Sequence, residues 1–154
     1  MTPALVLKTI IDDMRIVPRW NMFTAAKHRL ASSLGTKPRL LAQLARKINI
    51  AVQQRIAENC STNSATLELL ALHASTDVRA SVAQNESTKR STVNRLATDV
   101  SSDVRYAMAD NAHTSTKLLL ALADDENPYV QDRAKRTQAR LQAEETLGCL
   151  SKAA

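Results

Sequence analysis

Three histidines and two cysteines are the side chains that a metal site or a nucleophilic active site would use first. His28, His73 and His113 fall in different segments, and no H-x-E, H-E-x-x-H or Cys-x-x-Cys spacing is present. Such spacings bring metal ligands, or a nucleophile and its base, close together. Neither a G-x-S-x-G nucleophile elbow nor a glycine-rich phosphate loop occurs. We therefore expect a protein that is not an enzyme and that binds neither a metal nor a cofactor.

The composition predicts a single all-α domain. The 154 residues are 44% hydrophobic but only 3% aromatic, and they include two glycines and four prolines. Few turn-forming residues beside many Ala, Leu and Thr argue against an all-β fold. The sequence contains no run of about 18 uncharged apolar residues, which a membrane-spanning helix would require. The opening MTPALVLKTIIDDMR lacks the pattern of a secretory leader. Cys60 and Cys149 share no short ligand spacing. We therefore expect both cysteines to be reduced thiols in a cytoplasmic protein.

The positive charge is concentrated in the first third of the chain. The formal net charge is +6. Residues 1–51 hold nine Lys and Arg against two Asp and Glu, whereas residues 52–154 hold twelve against thirteen. The first third is therefore basic, and the remainder has a mixed and nearly neutral charge pattern.

The sequence repeats with a period of 26 residues, which indicates a repeat architecture. Valine recurs at this interval at Val52, Val78, Val104 and Val130. Threonine recurs at Thr36, Thr62, Thr88 and Thr114, and asparagine at Asn59, Asn85 and Asn111. The predicted units and the half repeat that follows them are 26–51, 52–77, 78–103, 104–129 and 130–141. Residues 1–25 form a predicted N-terminal helical cap, and residues 142–154 a predicted C-terminal tail.

Each unit contains two helix-sized segments. In one unit Val78 and Val82 mark the apolar face of the first segment, and Leu96 and Ala97 that of the second. The threonine column precedes each second segment and is predicted to cap it. Good N-cap residues also precede each first segment, at Asn49, Ser75, Ser101 and Asn127. Because neither helix could bury its apolar face alone, the pattern predicts a right-handed α-solenoid of about four two-helix repeats.

Two polar columns have a structural and a functional interpretation. The asparagine column is expected to satisfy backbone groups at helix ends or between units. Arg79 and Arg105 share a second column with Lys27, Gln53 and Gln131. This row could face a binding partner along the stack, or it could form an ordinary solvated helix face.

The pattern VRxxVAxN…T…L…LAxD resembles the leucine-rich repeat variant family, an α-helical solenoid similar to HEAT and armadillo repeats. The resemblance covers about residues 26–135. The residues that carry it best are Val78, Arg79, Val82, Ala83, Asn85, Thr88, Leu96, Ala97 and Asp99. A member of that family carries an iron–sulfur cluster on N-terminal cysteines. No cysteine precedes Cys60 here, so the resemblance does not extend to that cluster.

The leading functional hypothesis is a non-enzymatic scaffold or adaptor for a protein or peptide partner. Solenoids present an extended surface on a stacked core, and Trp and Arg are favoured as interface anchors. Trp20 has a second interpretation, as a core residue of the N-terminal cap. The candidate contact residues are Trp20, Arg39, Arg79, Arg90, Arg95, Arg105 and Tyr106.

The alternative hypothesis is binding of nucleic acid by the basic first third, through contacts to phosphates. The scarcity of aromatic residues argues against it, because single-strand binders stack bases on aromatic rings. Attachment of the basic N-terminus to a membrane surface is a third, weaker hypothesis. The candidate phosphate-binding residues are Arg15, Arg19, Lys27, Arg29, Lys37, Arg46 and Lys47.

Overall fold

In the computed structural model, the described part of the chain is all-α. It covers residues 19–46 and 49–152, with side chains described from residue 25 to residue 147 within those ranges. These residues form nine helices and no strand, which confirms the predicted all-α class. The helices are α1 Arg19–Ser32, α2 Pro38–Ala45, α3 Ile50–Glu58, α4 Ser64–Leu70, α5 Thr76–Gln84, α6 Arg90–Leu96, α7 Ser102–Asp110, α8 Thr116–Leu122 and α9 Pro128–Lys152.

The helices alternate between two rows. The first-helix row consists of α1, α3, α5, α7 and α9, and each of these helices packs against the next member of its row. The second-helix row consists of the shorter helices α2, α4, α6 and α8. Each of these packs against the two first-row helices that flank it in the sequence. Helices adjacent in the chain therefore belong to different rows.

The buried core comes from the repeated apolar columns. The valines of the first-helix row are almost completely buried, at Val52, Val78, Val104 and Val130. The second-helix row contributes buried leucines at Leu44, Leu70, Leu96 and Leu122. Burying one such side chain stabilises the fold by about 1.5–3 kcal/mol, so these columns supply much of the driving force for stacking the helices.

Three of the four predicted caps of the first-helix row make a side-chain hydrogen bond. Asn49 Oδ1 accepts a hydrogen bond from the Val52 N–H at 3.2 Å, and Ser101 Oγ accepts one from Asp103 N–H at 3.3 Å. Asn127 Oδ1 accepts from the Tyr129 N–H at 2.9 Å. Ser75 occupies the N-cap of α5 without a side-chain hydrogen bond. These bonds satisfy backbone donors that a helix start leaves free.

The prediction that the threonine column caps the second helices is wrong by one residue. The N-cap residues of that row are Lys37, Asn63, Lys89 and Ser115. The threonine hydroxyls instead donate backwards, to the carbonyl oxygen six residues earlier in the preceding first-row helix. Thr62 bonds to Ile56 O at 2.6 Å, and Thr88 to Val82 O at 2.8 Å. The column therefore gives a second hydrogen bond to a carbonyl near the helix end that already accepts the C-cap N–H.

Both ends of the described chain differ from the predicted boundaries. Helix α1 runs from Arg19 to Ser32 and so crosses the predicted border between cap and first unit at residues 25 and 26. Helix α9 continues through the predicted half repeat and into the predicted tail, and Gly148 does not end it. One glycine inside a helix costs only about 1 kcal/mol, which does not by itself terminate a helix.

Candidate binding surfaces

Arg79 is held inside the molecule by a bidentate ion pair. Its Nε and Nη2 donate to the Asp99 carboxylate at 2.7 and 2.8 Å, and its Nη1 donates to the His73 carbonyl at 2.9 Å. Both side chains are nearly buried, with 13% of Arg79 and 10% of Asp99 exposed. Burial alone would raise the pKa of Asp99, but hydrogen bonds from Arg79 and from the Ser101 N–H outweigh it, and the pKa is lowered.

Arg105 repeats this arrangement 26 residues later. Its Nε and Nη2 donate to Asp125 at 2.7 and 3.0 Å, and its Nη1 donates to the Asp99 carbonyl at 2.8 Å. Nη2 also donates to Glu126 at 3.0 Å. Burial again acts to raise the pKa of Asp125, and the hydrogen bonds from Arg105 and from the Asn127 N–H lower it below its usual value.

The two glutamines of this column also bond to backbone carbonyls. Gln53 Nε2 donates to Ala45 O at 2.9 Å, and Gln131 Nε2 donates to Asp125 O at 2.6 Å. The column thus ties α3, α5, α7 and α9 to the end of the second-row helix or the loop that precedes each of them. Arg79 and Arg105 therefore form neither a solvated helix face nor a row with free donors for a partner, because their donors are used within the chain.

The asparagine column links consecutive members of the first-helix row. Asn85 Nδ2 donates to Ala57 O at 2.6 Å and to Asn59 O at 3.0 Å, and its Oδ1 accepts from the Ser87 N–H at 2.9 Å. Asn59 bonds in the same way to Ala31 O and Ser33 O. Asn111 Nδ2 donates to Ala83 O. These bonds, which span 26 or 28 residues, confirm the structural interpretation of the column.

A basic surface lies on the second-helix row. Three of the predicted contact residues, Arg39, Arg90 and Arg95, are exposed here, and so are Lys37 and Arg46 from the alternative set. Sequence reasoning did not select two further exposed lysines on the row, Lys89 and Lys117. Against these seven cations, the exposed acidic side chains on or directly after the four helices are Glu68 and Asp124. Lys89 Nζ lies 3.5 Å from the Glu68 carboxylate, which leaves a clear positive excess.

Exposed leucines are interspersed among these basic residues. Leu69, at the end of α4, and Leu72, which follows that helix, are both more than half exposed, as is Leu120 in α8. None of the four second-row helices contains an aromatic residue. The surface therefore combines positive charge with aliphatic groups. The sequence shows where these residues fall in the repeat, but only the structure shows that they are exposed.

The outer surface of the first-helix row also carries acidic and aromatic groups. Asp77, Asp103 and Glu58 are exposed on its middle helices. Tyr106, a predicted contact residue, is partly exposed, and the Arg133 guanidinium lies 5.9 Å from its ring centroid. A shallow cleft of about 150 Å³ separates Tyr106 from the exposed Tyr129. This row thus exposes aromatic and acidic groups beside basic and aliphatic ones such as Arg55 and Ile50.

The structure does not gather the candidate phosphate-binding residues on one row. Lys27 and Arg29 belong to α1, whereas Lys37 and Arg46 flank α2 in the second-helix row. Among the remaining predicted residues, Arg15 and Lys47 lie outside the described residues. Arg19 and Trp20 begin α1 in the part whose side chains are not described.

No family model matches this sequence, and neither a curated protein nor a solved structure matches it. Within residues 19–46 and 49–152, no group of three or more His, Cys, Asp and Glu side chains is placed to hold a metal ion. No helix in the described ranges has the length and apolar character needed to cross a membrane.

Proposed function

We propose that the protein is a non-enzymatic scaffold for protein–protein interaction, built as an α-solenoid of about four two-helix repeats with a period of 26 residues. The observation that carries this proposal is the exposure of Leu69, Leu72 and Leu120 on the second-helix row. A partner that covers aliphatic side chains stabilises the complex by about 25 cal/mol per Å² of apolar surface removed from water. A protein partner can offer matching apolar groups, and interfaces combine them with a polar rim.

The internal hydrogen bonds support the same proposal. Asn59, Asn85 and Asn111 use their amides between consecutive first-row helices, and Arg79 and Arg105 bind carboxylates of the same chain. These residues hold the helices in a fixed arrangement. A pre-organised surface binds with less loss of conformational entropy, which is the advantage that repeat scaffolds offer to a partner.

The resemblance to the leucine-rich repeat variant family agrees with such a scaffold.

We further propose a cytoplasmic location. Cys60 is a free and exposed thiol, and exposed unpaired thiols suit a reducing compartment better than an oxidising one.

Affinity capture with the tagged protein tests the scaffold proposal. Wild type, a Leu69→Glu/Leu72→Glu variant and a Leu147→Glu control are used as baits in lysate from the native source, with and without nuclease. Leu147 is equally exposed but lies on α9. We expect proteins that wild type and control retain after nuclease treatment and that the double variant loses. Identical captures with all three baits would overturn the proposal, provided circular dichroism shows the same helicity.

Binding of nucleic acid is the second candidate function, and the exposed arginines Arg29, Arg39 and Arg46 favour it. Phosphate contacts release counterions, so such binding must weaken steeply with salt. The test is a titration with labelled duplex and single-stranded DNA at several salt concentrations. Binding with a steep salt dependence would support this function, and binding that is absent or insensitive to salt would exclude it.

A further inference from the structure

The second-helix row carries more positive charge than the fold requires. Lys37 and Lys89 occupy the N-caps of α2 and α6, and neither makes a side-chain cap bond. Asn, Asp, Ser and Thr are preferred at that position, because their oxygens accept from free backbone N–H groups. A cation there is also unfavourable next to the positive end of the helix dipole. Both lysines therefore occupy positions where they do not help the helix to form.

Several cations of this row are also available to a partner. Among the described residues, Arg39, Arg46, Arg90 and Lys117 take part in no ion pair, and all four side chains are exposed. Arg95 has one long hydrogen bond, of 3.5 Å, to the Glu68 carbonyl. This contrasts with Arg79 and Arg105, whose guanidinium groups are satisfied internally. The exposed cations can therefore bind carboxylates without breaking an existing ion pair.

The exposed leucines favour an acidic peptide over a nucleic acid as the anionic partner of this surface. Leu69, Leu72 and Leu120 are exposed on the same row as these cations. A phosphate backbone has no aliphatic groups to cover them, and the absence of aromatic residues from the four helices removes the usual platform for bases. A peptide with both acidic and apolar side chains satisfies both parts of the surface.

We propose that the second-helix row is a docking surface for an acidic, amphipathic segment of a partner protein, whose Asp and Glu bind the exposed Lys and Arg while its apolar residues cover the three leucines. This inference rests on the proposed scaffold function and specifies the chemistry of the partner. Consecutive first-row helices pack directly, and packed helices stand about 8–10 Å apart, so a surface that follows four repeats spans at least roughly 25–30 Å. A helix of roughly 20 residues has that length.

The test measures fluorescence anisotropy of three labelled probes at about 100 mM salt, where exposed charges are partly screened. The first probe is a synthetic helical peptide of roughly 20 residues with Glu on one face and Leu on the other. The second has Lys in place of every Glu, and the third is a duplex DNA of similar length. We expect the acidic peptide to bind, the basic peptide not to bind, and the DNA to bind at least about tenfold more weakly, a difference of about 1.4 kcal/mol.

Two charge-reversal variants of the full chain show where the acidic peptide binds. Arg90→Glu/Arg95→Glu changes the second-helix row, and Arg136→Glu/Arg140→Glu makes the same change in net charge on α9. We expect the first variant to weaken peptide binding about tenfold or more and the control about twofold or less. A third variant, Leu69→Ser/Leu72→Ser, should weaken it severalfold, because it removes apolar surface while leaving the charge unchanged.

Three outcomes would overturn the inference: no binding of the acidic peptide, equal losses in the two charge-reversal variants, or tighter binding of DNA than of the peptide. The last would favour the nucleic-acid function instead. The scaffold function is judged separately. If the Leu69→Glu/Leu72→Glu bait loses captured proteins while the acidic peptide does not bind, the scaffold function stands and only the acidic class of partner is wrong.

Discussion

The two helix rows use the same residue types for opposite purposes. In the first-helix row, Arg79 and Arg105 bind internal carboxylates, and the asparagine column bonds to neighbouring backbone. In the second-helix row, Arg39 and Arg90 are exposed and take part in no ion pair with the described residues. Arg79 and Arg105 therefore have a structural role because a carboxylate is within reach, whereas Arg39 and Arg90 remain exposed without one.

The largest effect that separates the two rows is expected from arginine substitutions. Arg105→Met should destabilise the protein by about 2–3 kcal/mol, because it leaves the buried carboxylate of Asp125 without its partner. Arg90→Met, at an exposed site, should change the free energy of unfolding by less than about 0.5 kcal/mol. Urea denaturation of both variants measures the difference. Equal stabilities would contradict the division between structural and exposed arginines.

The asparagines provide the next comparison. Asn85→Ala should cost about 2 kcal/mol, because the carbonyls of Ala57 and Asn59 lose their hydrogen bonds in a buried site. Asn94→Ala, on the exposed face of α6, serves as the matched control and should be nearly neutral. Thermal unfolding followed by circular dichroism reports both changes. A neutral Asn85→Ala would show that the links between first-row helices do not stabilise the stack.

Low pH should lower the free energy of unfolding by less than Arg105→Met does. Because the folded-state pKa of Asp99 and of Asp125 lies below its unfolded value, each ion pair contributes its full stability above the unfolded pKa of about 3.9. That contribution is lost as the pH falls through the folded pKa. The effect should be smaller than that of Arg105→Met, since a protonated carboxyl still accepts a hydrogen bond. Urea denaturation at several pH values between 6 and 3 gives the free energy of unfolding as a function of pH. That free energy should fall less steeply with decreasing pH in Asp99→Asn/Asp125→Asn than in wild type.

The smallest effect is expected from the exposed leucines. Leu69→Ser/Leu72→Ser should leave the free energy of unfolding within about 0.5 kcal/mol of wild type, because both side chains are already mostly in water. Urea denaturation provides the measurement. A loss of several kcal/mol would mean that these leucines belong to the core, and the second-helix row would then have no apolar docking surface.

Sequence reasoning was most successful for features repeated in register. Val78 and Leu96 were identified as core residues from spacings of three and four, and Asn49 was identified as a cap. It was less successful where one residue type has several local options. Thr88 could cap the helix after it or bond to the helix before it, and only the backbone geometry selected the second.

The pairing of Arg79 with Asp99 could have been inferred in part. Arg79 and Asp99 are 20 residues apart, and so are Arg105 and Asp125, a recurrence that is visible in the sequence. The recurrence alone does not show that the side chains meet. Their reach depends on how closely α5 and the loop before α7 approach each other, and that distance is set by the packing of the core between them.

The amino-acid sequence by itself determined the period, the alternation of two helices, the caps of the first-helix row and the apolar columns. These follow from local propensities and from spacing, which act over a few residues and repeat. Only the tertiary structure decided which polar columns are internal and which are exposed. The reason is physical: burial and hydrogen bonding between segments 20 to 28 residues apart depend on distances that exist only once the helices have packed.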